Sequence, residues 1–430
     1  MTLFVIATAF FLGGTLLLKA YGLSEKIFVG KTFTFWGQVK QIVSGDEQKL
    51  VGEDLGQINI LLLGVGGEGH EGPYLTDTMM LAQIRPDIGT VSLTSIPRDY
   101  QVTLPENFGK QKINAAFALG YGGKEIKNFE KGGDWARQQV EKLSGLNIPY
   151  FALVDFSGFE KAIDEVGGIQ VDVEKTFTDS EFPNNSLGYL PPQTFKAGLQ
   201  QMDGKTALIF ARSRHGNNDE GSDFARSKRQ KKIIESFKEK TLSLNLISDS
   251  GTINKLIEVF ANHFHTNLSP AEIFRLYKLS KEGKLNSILS SSLDPETKLV
   301  CDGKDPDTGA YIIFPCFGKN ISDIQTFFKN SFSAGRVSAE GAKIWLGNST
   351  TDTKKYDQAY KQLTEAGAIV YQVGYSKDFL PKTVVFQANK KPATVEFILN
   401  ILNAKEATIP PKDMNIDPEK VDIVVILGEN

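Results

Sequence analysis

Cysteine is nearly absent from this chain: Cys301 and Cys316 are the two it has among 430 residues. Two thiols make neither a disulfide-dense scaffold nor a four-ligand zinc site. If the chain is exported, they could pair across the turn-like Asp305-Pro306-Asp307-Thr308-Gly309; two unpaired buried thiols is the other reading. Histidine is scarce as well, with four in all and no HExxH spacing, so a histidine-bound catalytic metal is not expected. An excess of positive charge is also lacking. At a net charge of −3 there is no basic field to attract nucleic acid, and no helix-turn-helix pattern is present, so no nucleic-acid partner is expected. Any anion site must come from a local cluster.

What is present begins with Thr2 to Leu18, an uncharged apolar run ending at Lys19. It is close to the ~20 residues that span a bilayer and lacks the basic leader of a cleaved signal, so residues 1–20 read as a single-pass transmembrane helix. Lys19 and Lys26 follow the run, which by charge alone would orient the body toward the cytoplasm. Orientation is therefore argued from chemistry below. Residues 21–57 read as a linker. With 23 % charged and 41 % hydrophobic residues, the rest describes folded domains, and its length calls for more than one core.

From 58 to 332 strands alternate with helices. Ile58 to Val65 is a continuous apolar run typical of a strand buried on both faces. Met79 to Ile84, Thr90 to Ile96, Tyr150 to Phe156, Ile169 to Val173 and Ala207 to Ser213 read as further strands. Gly158 to Val166 and Phe224 to Leu242 read as helices, and residues 252–330 as mostly helical. The expected fold is a layered α/β/α domain with a central mixed sheet. Residues 340–430 repeat the strand–helix pattern at the size of a small α/β domain.

The candidate chemistry lies in the first of these domains. Pro97 ends the Thr90 strand, so Arg98 and Asp99 emerge at its carboxyl end, where ligand sites of open sheets collect. Arg212 and Arg214, two apart on an expected strand, point to one face. Asp223, Arg226 and Gln230 share one face of the following helix, from which Arg229 and Lys232 point away into solvent. Forked guanidinium donors match phosphate oxygens, and several together can hold a pyrophosphate. Asp77, expected in the loop before the Met79 strand, can contribute a carboxylate to Mg²⁺ bridged to those phosphates. Surface ion pairing is the bland alternative for each arginine taken alone. Two motifs are set aside. Gly64-Val-Gly66-Gly67-Glu-Gly69 matches GxGxxG but leads through Pro73 into another strand, and Gly204-Lys205-Thr206 lacks the rest of a P-loop.

Taken together, Ile60-Leu-Leu-Leu-Gly64, Thr76-Asp-Thr-Met-Met80, Ser95-Ile-Pro-Arg-Asp99, Lys112-Ile-Asn-Ala-Ala116, Asp155-Phe-Ser-Gly-Phe159, Val166-Gly-Gly168, Arg212-Ser-Arg214 and Asp223-Phe-Ala-Arg226 with Gln230 resemble the successive signatures of the LytR–CpsA–Psr family. Residues 340–430 resemble the LytR-type carboxyl-terminal domain. The resemblance implies a membrane-anchored extracytoplasmic phosphotransferase. It would move a glycopolymer from a polyprenyl-pyrophosphate carrier to peptidoglycan by forming a phosphodiester. It also implies roles: Asp77 as a Mg²⁺ ligand; Arg98, Lys112, Arg212, Arg214 and Arg226 on the pyrophosphate; Asp223 and Gln230 ordering them. Arg98, Asp99, Asp223 and Arg226 form the expected catalytic set. Phe117, Phe159 and Ile163 are read as core, with a lipid groove as the alternative.

The chain departs from the family pattern at two places. Gly66 or Gly67 stands where the family has an aspartate after the first strand, and Leu75-Thr76 where it has an arginine. Glu68, His70 and Glu71 are the nearby groups available as a substitute ligand or base. A hydrolase acting on the same lipid-linked substrate and a non-catalytic wall-binding or regulatory protein remain the other readings.

Overall fold

The structure is a computed structural model that describes residues 48–70, 72–122, 127–184, 188–243, 250–285, 287–332, 337, 340–365, 368–375, 379–407 and 420–429. The expected transmembrane segment lies outside these residues. Among the described residues no helix is long and apolar enough to cross a membrane. The chain forms two compact units, divided between Lys329 and Asn330.

In the first unit, β1 (Ile58–Val65) is buried along its whole length. It is followed by β2 (Thr76–Arg85) and β3 (Thr90–Ser95), then by the hairpin β4 (Gln101–Leu104) and β5 (Gly109–Lys112). Helices α1 (Ala115–Tyr121) and α2 (Phe129–Ser144) lead to β6 (Tyr150–Asp155) and α3 (Phe156–Glu165). Short strands β7 (Ile169–Val173), β8 (Phe177–Asp179), β9 (Gln193–Phe195) and β10 (Gly198–Met202) precede α4 (Gly204–Arg212), α5 (Asp223–Leu242) and α6 (Ser250–His263). The unit closes with β11 (Phe264–Thr266), α7 (Pro270–Lys281), β12 (Ser287–Ser292), β13 (Val300–Lys304), β14 (Tyr311–Pro315) and α8 (Ile321–Lys329).

Six strands make the central sheet, in the order β11-β6-β1-β2-β3-β12. The β1–β6 and β3–β12 pairs are parallel and the others antiparallel, so the sheet is mixed as expected. Alternate residues of β1 serve the two faces. Ile60 and Leu62 pack with Phe159 and Ile163 of α3 and Ile233 and Phe237 of α5. Leu61 and Leu63 pack with Phe117 of α1, Val140 of α2 and Phe328 of α8. Each such side chain contributes about 1.5–3 kcal/mol through burial. Phe117, Phe159 and Ile163 are 0 % exposed, which makes them core.

Three expectations are corrected. Ala207 to Ser213 belongs to α4, not to a strand: a short apolar run fits either element, and Asp203 decides for helix by capping it, its carboxylate accepting from the Thr206 N–H. Residues 252–330 hold four strands besides their helices, so His263 ends α6 while His265 lies on β11. Asp77 sits within β2 rather than in the loop before it. Cys301 and Cys316 form a disulfide across the β13–β14 hairpin, which resolves the alternative that the sequence left open.

The second unit has its own five-stranded sheet. Strands β15 (Lys343–Asn348), β16 (Ile369–Tyr375), β17 (Val384–Gln387), β18 (Lys405–Ala407) and β19 (Ile423–Leu427) lie in the order β16-β15-β19-β17-β18. Helices α9 (Thr353–Glu365) and α10 (Pro392–Ile401) connect them. Ile344, Leu346 and Val425 point into a core with Leu363 and Ile398, while Trp345, Val424 and Ile426 form a smaller cluster.

Candidate active site

The site gathers at the carboxyl ends of β1, β3 and β6. At the end of β1, Gly64 pairs with Thr78 and Val65 with Thr76, leaving Asp77 as the extra residue of a β-bulge. A bulge re-aims the side chain it carries. Asp77 turns to Arg98, whose Nη1 donates to its Oδ1 at 2.6 Å. Beyond β3, Arg98 is held by its own backbone, its carbonyl accepting from Asn114 N at 3.2 Å. Arg98 Nε also lies 3.5 Å from Asp99 Oδ2, and Lys112 Nζ donates to Asp99 Oδ1 at 2.6 Å. Asp77, Arg98, Asp99 and Lys112 thus form one alternating chain of charge. Burial pulls Arg98 down, but Asp77 and Asp99 outweigh it and hold the guanidinium above its ordinary range.

Arg212 comes from the last turn of α4. Its guanidinium lies 4.1 Å from the centroid of the Phe156 ring and 5.5 Å from that of Phe182. Such stacking contributes ~0.5–2 kcal/mol and orients the fork. Burial pushes Arg212 below its usual range; the Asp77 carboxylate opposes this, while Arg214 and Arg98 reinforce it. The same three charges place the α4 arginine and the Arg98 chain in one electrostatic neighbourhood. Arg212 and Arg214 do not share a strand face, since the first ends a helix and the second follows the turn at Ser213.

On α5, Arg226 and Gln230 are 7 % and 3 % exposed, so both are interior residues of the site wall. Gln230 Nε2 donates to Ala211 O at 3.3 Å, which ties α5 to the end of α4. Asp223 opens α5 behind the Ser222 cap, and its side chain lies outside the described residues. Arg229 does not face solvent: it is 3 % exposed, donates to Phe210 O and Ser213 O, and pairs with Glu220 at 2.6 Å. Arg229 lies three residues after Arg226 and four before Ile233, so helical spacing puts it on the same buried face of α5. Lys232 reaches Glu174 at 3.2 Å and Asp172 at 3.8 Å.

Between β1 and β2, Glu68 is paired with Lys127 at 2.5 Å and His70 stands edge-on to Phe156 at 5.6 Å. Glu71 lies outside the described residues. A Cβ at Gly66 would come within 2.9 Å of the His70 Cβ. One at Gly67, where φ is +86°, would come within 3.0 Å of the Asp155 Cβ. Asp155 caps α3 by accepting from Gly158 N, and its other oxygen lies 2.9 Å from His263 Nδ1. Among the described residues no group of three or more His, Cys, Asp or Glu side chains forms a ready metal cage. Asp77, with one oxygen committed to Arg98, fits a cation that takes most of its ligands from a phosphate substrate.

Sequence reasoning missed Phe156 and Phe182 beneath Arg212, and the buried carboxylate of Asp179. The aromatic residues carry no spacing signal, because the ring contacts depend on how α4 packs against α3 and against the segment after β8. Asp179 accepts from Ser213 Oγ at 2.5 Å and from the backbone N–H groups of Glu181, Arg214 and His215 at 2.9, 3.1 and 3.3 Å.

Fold and site together describe a layered α/β protein with an arginine–carboxylate cluster at the carboxyl ends of its central strands. The LytR_cpsA_psr family model matches residues 35–315, and the chain belongs to that family. It is 32 % identical over 269 residues to the polyisoprenyl-teichoic acid–peptidoglycan teichoic acid transferase TagU of Oceanobacillus iheyensis, covering 60 % of this chain and 77 % of that protein. It is 30 % identical over 222 residues to the regulatory protein MsrR of Staphylococcus aureus strain COL, covering 51 % of this chain. The match spans 59 % of that curated relative's length. A solved structure, protein gbs0355 from Streptococcus agalactiae, aligns with a TM-score of 0.50 at 25 % identity, covering 66 % of this chain and 91 % of that one.

Proposed function

We propose that this chain is a phosphotransferase that moves a glycopolymer from a polyprenyl-pyrophosphate carrier to peptidoglycan. The observation that carries the reading is the Asp77–Arg98–Asp99–Lys112 chain lying in the electrostatic reach of Arg212, which is itself coupled to Arg214. Family membership and the name of the TagU relative support the same substrate class. In the proposed reaction an acceptor hydroxyl of peptidoglycan attacks the phosphorus nearer the glycan. The bridging P–O bond breaks, polyprenyl phosphate leaves, and the hydroxyl proton passes to a base or solvent. Arg98, Arg212 and Arg214 hold the phosphate oxygens and stabilise the charge that grows on the bridge. Asp99 and Lys112 fix Arg98, while Arg226 and Gln230 form the wall behind the α4 turn. Asp77 would hold Mg²⁺, which when bound supplies further charge neutralisation at the phosphates.

A body acting on a lipid-linked substrate belongs at the membrane face outside the cell. The apolar run from Thr2 to Leu18 supports a single-pass anchor there. The disulfide supports an oxidising compartment.

The test incubates the purified full chain with Mg²⁺ and a polyprenyl-pyrophosphate glycan, with and without peptidoglycan fragments. Release of polyprenyl phosphate only with acceptor is the expected result. Release without acceptor would make the protein a hydrolase of the same substrate. No release under either condition would overturn both enzyme readings and leave a regulatory or wall-binding role.

A further inference from the structure

The turn that displays Arg212 and Arg214 is gripped from both sides by buried ions. Ser213, between them, is 0 % exposed. Its hydroxyl and the next two backbone N–H groups point to one carboxylate, Asp179, itself 1 % exposed. Its carbonyl accepts from Arg229 Nη2 at 2.7 Å. Arg229 is fixed in turn: Nε donates to Phe210 O, Nη1 to the carbonyl and carboxylate of Glu220, and the guanidinium stacks over Phe177 at 4.9 Å. Three elements far apart in sequence, β8, the end of α4 and α5, thus converge on one peptide unit.

Burying a carboxylate and a guanidinium is costly unless each is paired and hydrogen-bonded, and a hydrophobic pair of similar volume often stabilises a fold as well or better. Stability alone therefore does not account for placing these ions here. Ionic hydrogen bonds do what apolar packing cannot: they fix the orientation of particular N–H and C=O groups.

We propose that Asp179 and Arg229 are positioning residues for the reaction. Their clamp on Ser213 sets the backbone from which Arg212 and Arg214 present their guanidinium groups to the pyrophosphate. This inference rests on the function proposed above. It predicts that loosening the clamp weakens phosphate recognition by more than the accompanying loss of stability explains.

The test measures binding of farnesyl pyrophosphate to the full chain by calorimetry, alongside thermal melting. Asp179→Asn keeps the size of the side chain but cannot accept from all of its donors. It is expected to bind at least about tenfold more weakly, a change of ~1.4 kcal/mol. Ser213→Ala removes one hydroxyl and leaves the fold intact, and an intermediate loss is expected. Leu143→Ala, a core truncation in α2 outside the site, serves as the control that lowers the melting temperature without weakening binding. Wild-type-like affinity in Asp179→Asn and Ser213→Ala, or affinity losses that follow the melting temperature alike in all three variants, would overturn the clamp and leave the proposed function standing. If the unaltered chain itself fails to bind the pyrophosphate, the proposed function fails, and the clamp's role with it.

Discussion

Arg212 shows how one residue can be strongly placed with no salt bridge to it among the described residues. Its guanidinium lies on Phe156 while the surrounding charges partly cancel. Arg212→Lys keeps the charge but loses the planar fork and its stacking, so kcat/KM is expected to fall about tenfold to a hundredfold, with little change in melting temperature. Steady-state kinetics on the lipid-linked substrate check this, and unchanged kinetics would remove Arg212 from the site. Asp179 gives a pH prediction. Burial raises it, but the Ser213 hydroxyl and the N–H groups of Glu181, His215 and Arg214 outweigh burial and leave it below its ordinary range. A carboxylate depressed in the folded state stabilises the fold above its unfolded pKa of about 4, and that stabilisation is lost as pH falls through the folded value. Melting temperatures from pH 7 to pH 3 should therefore drop less steeply for Asp179→Asn than for the unaltered chain. Parallel curves would argue against this assignment. At this scale the sequence was informative where an arginine follows a strand end, as Arg98 does. It misled at the charge run of α5, which looks solvated: Arg229 shares the buried face of Arg226 and Ile233 by helical spacing, and Phe177 and Ser213 close over it.

Among the elements, the β13–β14 hairpin is linked to the site through the backbone. Ile313 N donates to Asp99 O at 2.9 Å, and Gln101 Nε2 donates to Asp305 Oδ2 at 2.6 Å. The hairpin, closed by the Cys301–Cys316 disulfide, thus braces the segment that carries Arg98 and Asp99. With a sequence separation of 15 between the cysteines, chain entropy alone gives a stabilisation of about 3 kcal/mol. Reduction, or the double variant Cys301→Ser with Cys316→Ser, should lower the melting temperature of this unit by several degrees. An identical melt with and without reductant would show that the hairpin holds its shape without the bond. The strands of the sheet were legible because alternation and continuous apolar runs are local signals. Helix α4 was not, because its apolar stretch is too short for periodicity to speak; Asp203, three residues before Thr206, was the cap signal that could have corrected it.

For the whole molecule, the two units have separate hydrophobic clusters, with Ile60, Phe159 and Phe237 in one and Ile344, Leu363 and Val425 in another. Separate cores predict separate unfolding transitions. Scanning calorimetry should resolve two, of which only the one belonging to the first unit moves with reductant. A single cooperative transition would mean that the units stabilise each other. The mixed sheet and the division of the chain follow from strand spacing, which sequence displays well. The placement of Asp77 on a bulge does not, since it arises from the unequal register of β1 and β2.

Two close approaches also constrain what the loop after β1 can carry. A side chain at Gly67 would run into Asp155, and one at Gly66 into His70. An aspartate introduced at either position would therefore require its neighbour to shift. Position 155 or 70 must give way first, and Asp155 is itself committed to capping α3 and to His263. A carboxylate added at 66 or 67 is thus expected to cost stability, at 67 also through its positive φ.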